Sequence, residues 1–202
     1  MKKPTFKRLF AYIIDVIIVS VIASIFIDIP MLNPYVEKYV ELSENILGIY
    51  AGTSSIENVD LIKLQYEFIY YSFYSSLIIL IVKVLYFIVF QYFNKGQTIG
   101  KALLKIRLVS ERGKLKFHQV LITSLIVCNI LTSAVNLFVL RNLNMDTYLT
   151  VSNVISYIEI IIAVTVVIMI NMRKDGKGLH DLLTKTKVVY VEKEWCYENR
   201  YW

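Results

Sequence analysis

The chain of 202 residues has little cysteine, histidine or charge, and each shortage removes a class of protein. Two cysteines, Cys128 and Cys196, cannot build the disulfide framework of a small secreted domain. Two histidines, His118 and His180, are too few for a zinc centre, although His180 beside Asp181 has the look of a metal-ligating pair. Only 19% of the residues are charged and 56% are apolar, against roughly 25% and 45 to 50% in an average soluble domain. Such a composition is too hydrophobic for a disordered chain. No nucleophile, base and oxyanion-stabilising group stand together, so no enzymatic activity, cofactor or metal is expected.

What the sequence has instead is long apolar runs. A helix needs about 20 mostly apolar residues to cross a bilayer core of roughly 30 Å. Residues 9–29, 68–93, 118–140 and 148–171 meet that length. Their Ile and Val content would suit buried strands, but such strands end after about 4 to 8 residues. The expected fold is therefore all-α, a polytopic membrane protein with a four-transmembrane-helix bundle forming one domain over residues 1–202. The first run has a basic front, as a signal peptide would. Asp15 inside it and the absence of a small-x-small cleavage site mark it as a retained span.

The 22 basic residues outnumber the 16 acidic ones, and their distribution explains why. Eighteen lie in residues 1–8, in the connection 94–117 and in the tail 172–202. Three, Lys38, Lys63 and Arg141, lie on the alternate segments, and Lys83 is inside a span. That asymmetry places both termini in the cytoplasm of a multi-pass plasma-membrane protein. Basic residues divided by apolar spans suit anionic lipid headgroups and argue against a nucleic-acid partner. In the outer connection 30–67, Tyr35, Tyr39, Leu42, Ile46 and Ile49 recur at helical spacing, predicting an amphipathic helix on the outer surface. In the inner connection, Leu103, Leu104, Ile106 and Leu108 interleave with Lys101, Lys105 and Arg107, predicting an amphipathic segment along the inner headgroups. Gly96-Gln97-Thr98-Ile99-Gly100-Lys101 has the outline of a phosphate loop. Its glycines are one residue too close and no Ser or Thr follows the lysine, so nucleotide binding is rejected.

Three blocks of sequence together resemble the RDD family of bacterial multi-pass membrane proteins, named for one arginine and two aspartates. The opening block is Arg8-Leu9-Phe10-Ala11-Tyr12-Ile13-Ile14-Asp15, and the middle block is Gly96-Gln97-Thr98-Ile99-Gly100-Lys101 running on to Ile106-Arg107-Leu108-Val109. The closing block is Gly178-Leu179-His180-Asp181-Leu182-Leu183, followed by Thr186 and Val188. The resemblance implies that Arg8, Asp15 and Asp181 are the residues of the family name. Some members are described as sodium–proton antiporters, so it also adds weight to transport.

Independently of any family, Asp15, Lys83 and Glu159 place charge where insertion costs about 2.5 to 3.5 kcal/mol or more. Asp15 lies about 10 Å deeper than Arg8, Lys83 about 15 Å from the inner end of its span, and Glu159 about 18 Å from Asn171. All three fall in one slab of the membrane. One reading has them facing one another, with one carboxylate free to exchange a proton for a small monovalent cation and Asn129 and Asn136 supplying neutral oxygens. The other has an Asp15–Lys83 pair locking helix register in a non-transporting scaffold or accessory subunit, with Glu159 protonated. Arg8 and Asp15 are too far apart for a direct bond, so Arg8 is expected on a second helix or a lipid. Asp181 is expected to pair with Arg107 or Lys101. Four spans are few for a transporter, so a homodimer is the expected assembly.

Overall fold

The computed structural model describes residues 4–51, 61–173 and 175–191. It is overwhelmingly helical. Among the described residues, three helical runs are long and apolar enough to cross a membrane: Thr5–Ile27, Phe73–Phe93 and Met145–Met172. The first is helix α1, in which Ala11, Asp15, Val19 and Ala23 recur every fourth residue and are all buried, so a single stripe faces the bundle. Leu9, Ile13, Ile17, Val21 and Ile25 remain exposed. In lipid these side chains need no protein cover, because the surrounding acyl chains are as apolar as they are.

After α1 the chain forms α2 (Val36–Tyr50) and α3 (Leu61–Tyr71). Leu42 and Ile49 are buried on α2 as its apolar spacing requires. The cover is α3 rather than a membrane surface alone: Tyr39 stacks on Phe68 at 4.9 Å and Tyr35 meets Tyr71 edge-on at 5.4 Å. The second span then runs through α4 (Phe73–Val84), a π-helical segment (Leu85–Phe90) and α5 (Gln91–Phe93). The wider π turns present Tyr86, Phe87 and Ile88 to the interior consecutively. Such segments are rare and cluster at functional sites.

The expected third span, 118–140, is divided. Helices α7 (Phe117–Val127) and α8 (Ile130–Asn142) meet at an angle of 63°. At the joint Asn129 has φ +52°, a left-handed backbone that asparagine tolerates better than most residues. Its carbonyl accepts hydrogen bonds from the Ser133 amide and the Ser133 hydroxyl. Helix α9 (Met145–Met172) returns antiparallel along α8 and is barely covered by the rest of the chain.

The inner connection has more structure than its amphipathic pattern predicts. It forms α6 (Ile99–Leu103), packed against α1, and strand β1 (Ile106–Ser110). After α10 (Leu179–Thr184), strand β2 (Thr186–Tyr190) pairs antiparallel with β1 in the register Ile106↔Tyr190, Leu108↔Val188 and Ser110↔Thr186. The apolar and basic alternation in this stretch is a strand period: Ile106 and Leu108 are fully buried on one face. The start of α1, the connection and the tail thus share one end of the bundle, here termed the basic end. There the Lys7 ammonium donates to the Leu104 carbonyl at 3.1 Å and stands 4.9 Å over the Tyr190 ring.

Candidate functional site

Two buried carboxylates of the basic end, Asp15 and Asp181, are each held by three donors. Asp15 reaches its place because the buried stripe of α1 points it at the start of α6. Its Oδ1 accepts from the Tyr86 hydroxyl at 2.7 Å and from the Gly100 amide at 2.8 Å, and its Oδ2 accepts from the Thr98 hydroxyl at 2.5 Å. Tyr86 in turn accepts from the Ile99 amide at 3.1 Å. The approach depends on glycine. A Cβ added to Gly100 would stand 2.3 Å from the Ala11 carbonyl oxygen and 2.8 Å from Asp15 Oδ1. The loop with the outline of a phosphate cradle therefore does hold an anion with its backbone, and that anion is the protein's own carboxylate.

The remaining residues of the loop fit the same purpose. Gly96 takes φ +84° beside β1, where a Cβ would stand 2.2 Å from the Leu108 carbonyl oxygen. The Gln97 side chain donates to the Ile106 carbonyl at 3.0 Å. Lys101 turns away from the loop and donates to Gln91 Oε1 at 3.0 Å.

The second carboxylate corrects the expected pairing of Asp181 with Arg107 or Lys101. Arg8 donates to Asp181 Oδ2 at 2.7 Å, bridging 173 residues of sequence. The Gly178 amide (3.1 Å) and the Thr186 hydroxyl (3.3 Å) complete its donor set. Asp181 is fully buried and Arg8 nearly so, which makes this a buried ion pair with hydrogen bonds to the remaining lone pairs. Arg8 thus finds its partner on a second helix, as expected, and that helix is the short α10 at the tail. Around it, Gln119 of α7 donates to the Thr184 carbonyl at 2.7 Å, and Thr184 and Thr186 share a hydrogen bond of 2.8 Å.

Between these two clasps lies a cavity of about 260 Å³, bordered by α1, the π segment, α7, α9 and α10 and lined by Arg8, Asp15, Gln91, Lys101 and His180 among others. Burial pulls the Lys101 ammonium below its ordinary pKa, a fall that Arg8 deepens and that Cys128, Asp15 and Asp181 oppose. Burial also pulls the His180 imidazole down, against the opposing charge of Asp181. At neutral pH His180 is therefore an uncharged ring.

The residues expected to meet at mid-membrane are placed differently. Among the described residues no hydrogen bond or ion pair joins Asp15, Lys83 and Glu159, because Asp15 has a complete donor set on α6 and the π segment. The expected Asp15–Lys83 pair is thus replaced by hydrogen bonds to neutral donors. Lys83 is half-buried on α4, the helix packed against α8. Glu159, half-buried on α9, accepts a hydrogen bond from Thr132 in the first turn of α8. Asn129 forms the break itself, and Asn136 lies one face along α8 with an enclosed Oδ1 that has no partner among the described residues.

Two residues of the site escape a reading of the sequence alone, Tyr86 and Gln91. Both carry polar atoms within an apolar span, which is a signal in its own right: in hydrocarbon each needs a partner. Among the described residues no cluster of three or more metal-ligating side chains occurs. Compared with known proteins, the family model described as the RDD family matches residues 3–185. No curated protein and no solved structure matches the chain.

Proposed function

The chain belongs to the RDD family, and from that premise we propose that it is a carrier, not an enzyme, that exchanges a monovalent cation for protons across the plasma membrane. In this reading both termini are cytoplasmic, since eighteen of the 22 basic residues fall on one set of alternating segments. The working unit is a homodimer. The observation that carries the exchange reading is the break in the third span. It leaves the N-terminal end of α8 within the apolar region, with the Glu159 carboxylate against the first turn. Free amides and the positive end of a helix favour an anion there, and broken helices are the usual means by which transporters build ion sites in the midplane. Glu159 alternates between proton and cation, Lys83 discourages double occupancy, and Asn136 offers a neutral oxygen. Asp15 is assigned to architecture rather than exchange, because three donors already fill its carboxylate.

The test is reconstitution in liposomes with a trapped pH indicator, followed by external sodium, potassium or lithium. The expected result is a cation-driven pH change that is lost in Glu159→Gln protein of normal stability. No pH change with any of the three cations leaves the non-transporting scaffold as the correct reading, and a pH change that survives Glu159→Gln removes Glu159 from the exchange.

A further inference from the structure

The cavity at the basic end has no part in the exchange reading, and its hydrogen-bond inventory is unbalanced. Its carboxylates are satisfied: Asp15 accepts from Tyr86, Thr98 and Gly100, and Asp181 from Arg8, Gly178 and Thr186. Its donors are not. Lys101 has three N–H groups, of which one is directed at Gln91. Gln91 is 2% exposed, and its amide nitrogen is enclosed without a partner among the described residues. The same holds for Arg8 Nε, since the ion pair to Asp181 uses the other end of the guanidinium. Lys101, Gln91 and Arg8, on three elements, therefore line one chamber, and each keeps an N–H group without an acceptor among the described residues. His180, 7% exposed, adds a ring nitrogen, Nδ1, that also has no partner.

The mouth of the chamber is of the opposite character. Phe6 and Leu9 of α1 and Val167 of α9 line it and are 77%, 54% and 56% exposed. These are helix faces that lipid covers in a spanning protein. An occupant must therefore bring acceptors to the inner wall and an apolar body to the opening. A free anion satisfies only the first requirement and a neutral hydrocarbon only the second.

We propose that this cavity is a binding site for an anionic glycerophospholipid, its phosphodiester on Lys101, Gln91 and Arg8 and its acyl chain leaving past Leu9 and Val167 into the leaflet. A phosphodiester offers only acceptors, which complements a wall of unmet donors, and its negative charge meets the two cations. A quaternary ammonium headgroup brings positive charge toward Arg8 and Lys101 and is disfavoured. A hydroxyl-bearing headgroup has a further partner in His180 Nδ1.

The full-length protein in detergent micelles is titrated with phosphatidylglycerol, phosphatidylcholine and inorganic phosphate, read by native mass spectrometry and by thermal melting. Phosphatidylglycerol is expected to stay bound and to raise the melting temperature, with an affinity at least about tenfold above phosphatidylcholine, the value of one charge-assisted hydrogen bond. Lys101→Met and Gln91→Leu are expected to abolish that preference. Val167→Trp, at an exposed position that leaves the fold intact, is expected to block the mouth and weaken binding of phosphatidylglycerol even if the other two variants fail to fold. Equal affinity for the two lipids overturns the proposal. So does stabilisation by inorganic phosphate matching that by phosphatidylglycerol, which would identify a free-anion site, or binding unchanged in Val167→Trp.

Discussion

Asp15 and Glu159 are both acids in apolar helices, and the difference between their surroundings separates architecture from chemistry. Asp15 is 1% exposed and accepts from two hydroxyls and a backbone amide supplied by the π segment and the start of α6. Glu159 is half-buried on a helix with little protein cover, and Thr132 is its one hydrogen-bond donor among the described residues. A carboxylate with a full and rigid donor set has nothing to gain from a passing cation. A carboxylate with open lone pairs, at the start of a half-helix, has room for one. The same contrast applies to whole regions: the basic end is knit by side-chain hydrogen bonds, whereas the break at Asn129 leaves polar groups at mid-depth without a full complement.

The largest expected effect of breaking this contrast is at the basic end. Asp181→Ala leaves the Arg8 guanidinium buried and unpaired, and a loss of about 3 to 5 kcal/mol is expected in denaturant unfolding in micelles. The double replacement Arg8→Met with Asp181→Leu is expected to lose less than Asp181→Ala alone, since no buried charge is then stranded. A double variant as unstable as the single one would show that the pair is not what stabilises this end. Next in size, Gly100→Ala forces α6 away from α1, at a cost of about 1 to 3 kcal/mol typical of overpacking. Limited proteolysis between residues 94 and 117 is expected to accelerate with it. Asp15→Asn replaces an acceptor by a donor that faces other donors, and a loss of about 1 to 3 kcal/mol is expected in the same unfolding assay. Glu159→Gln is expected to change stability by less than about 1 kcal/mol while abolishing flux. The reverse pattern, flux surviving and stability collapsing, would exchange the roles of the two acids.

The smallest effect concerns pH. His180 has a folded pKa below its ordinary value, so the unfolded chain takes up a proton first as the pH falls. Stability from this group is complete above about pH 6.5, the ordinary imidazole value, and declines as pH drops from there through the lowered folded value. Melting temperatures measured from about pH 7 to about pH 5 should fall, and His180→Gln should flatten the slope.

How far the sequence reveals this structure depends on how far apart the interacting groups are. Transmembrane runs are legible because the length and hydropathy of one segment decide them. The loop from Gly96 to Lys101 is recognisable as a motif, but its partner is not, since nothing in the residues around Asp15 says that an amide 85 positions later will meet it. Lys101 and Arg107 are the cations of the inner connection that the motifs suggest for Asp181, whereas the cation that reaches it lies in the first span. The stretch from Leu103 to Leu108 alternates as an amphipathic headgroup segment does, and only the distant strand Thr186–Tyr190 decides that it is a ribbon. The break at Asn129 is weakly marked because no glycine or proline announces it.

The clasp between Arg8 and Asp181 also has a consequence in time. At synthesis rates of about 5 to 20 residues per second, the 173 residues between them separate their emergence by roughly 9 to 35 s. For that interval the first helix sits in the bilayer with its arginine held by headgroups and water. Assembly of the basic end is therefore not finished when the last span is inserted. It waits for the short helix α10 and strand β2, so a nascent chain halted before residue 179 would carry every span and still lack the partner of its first charge.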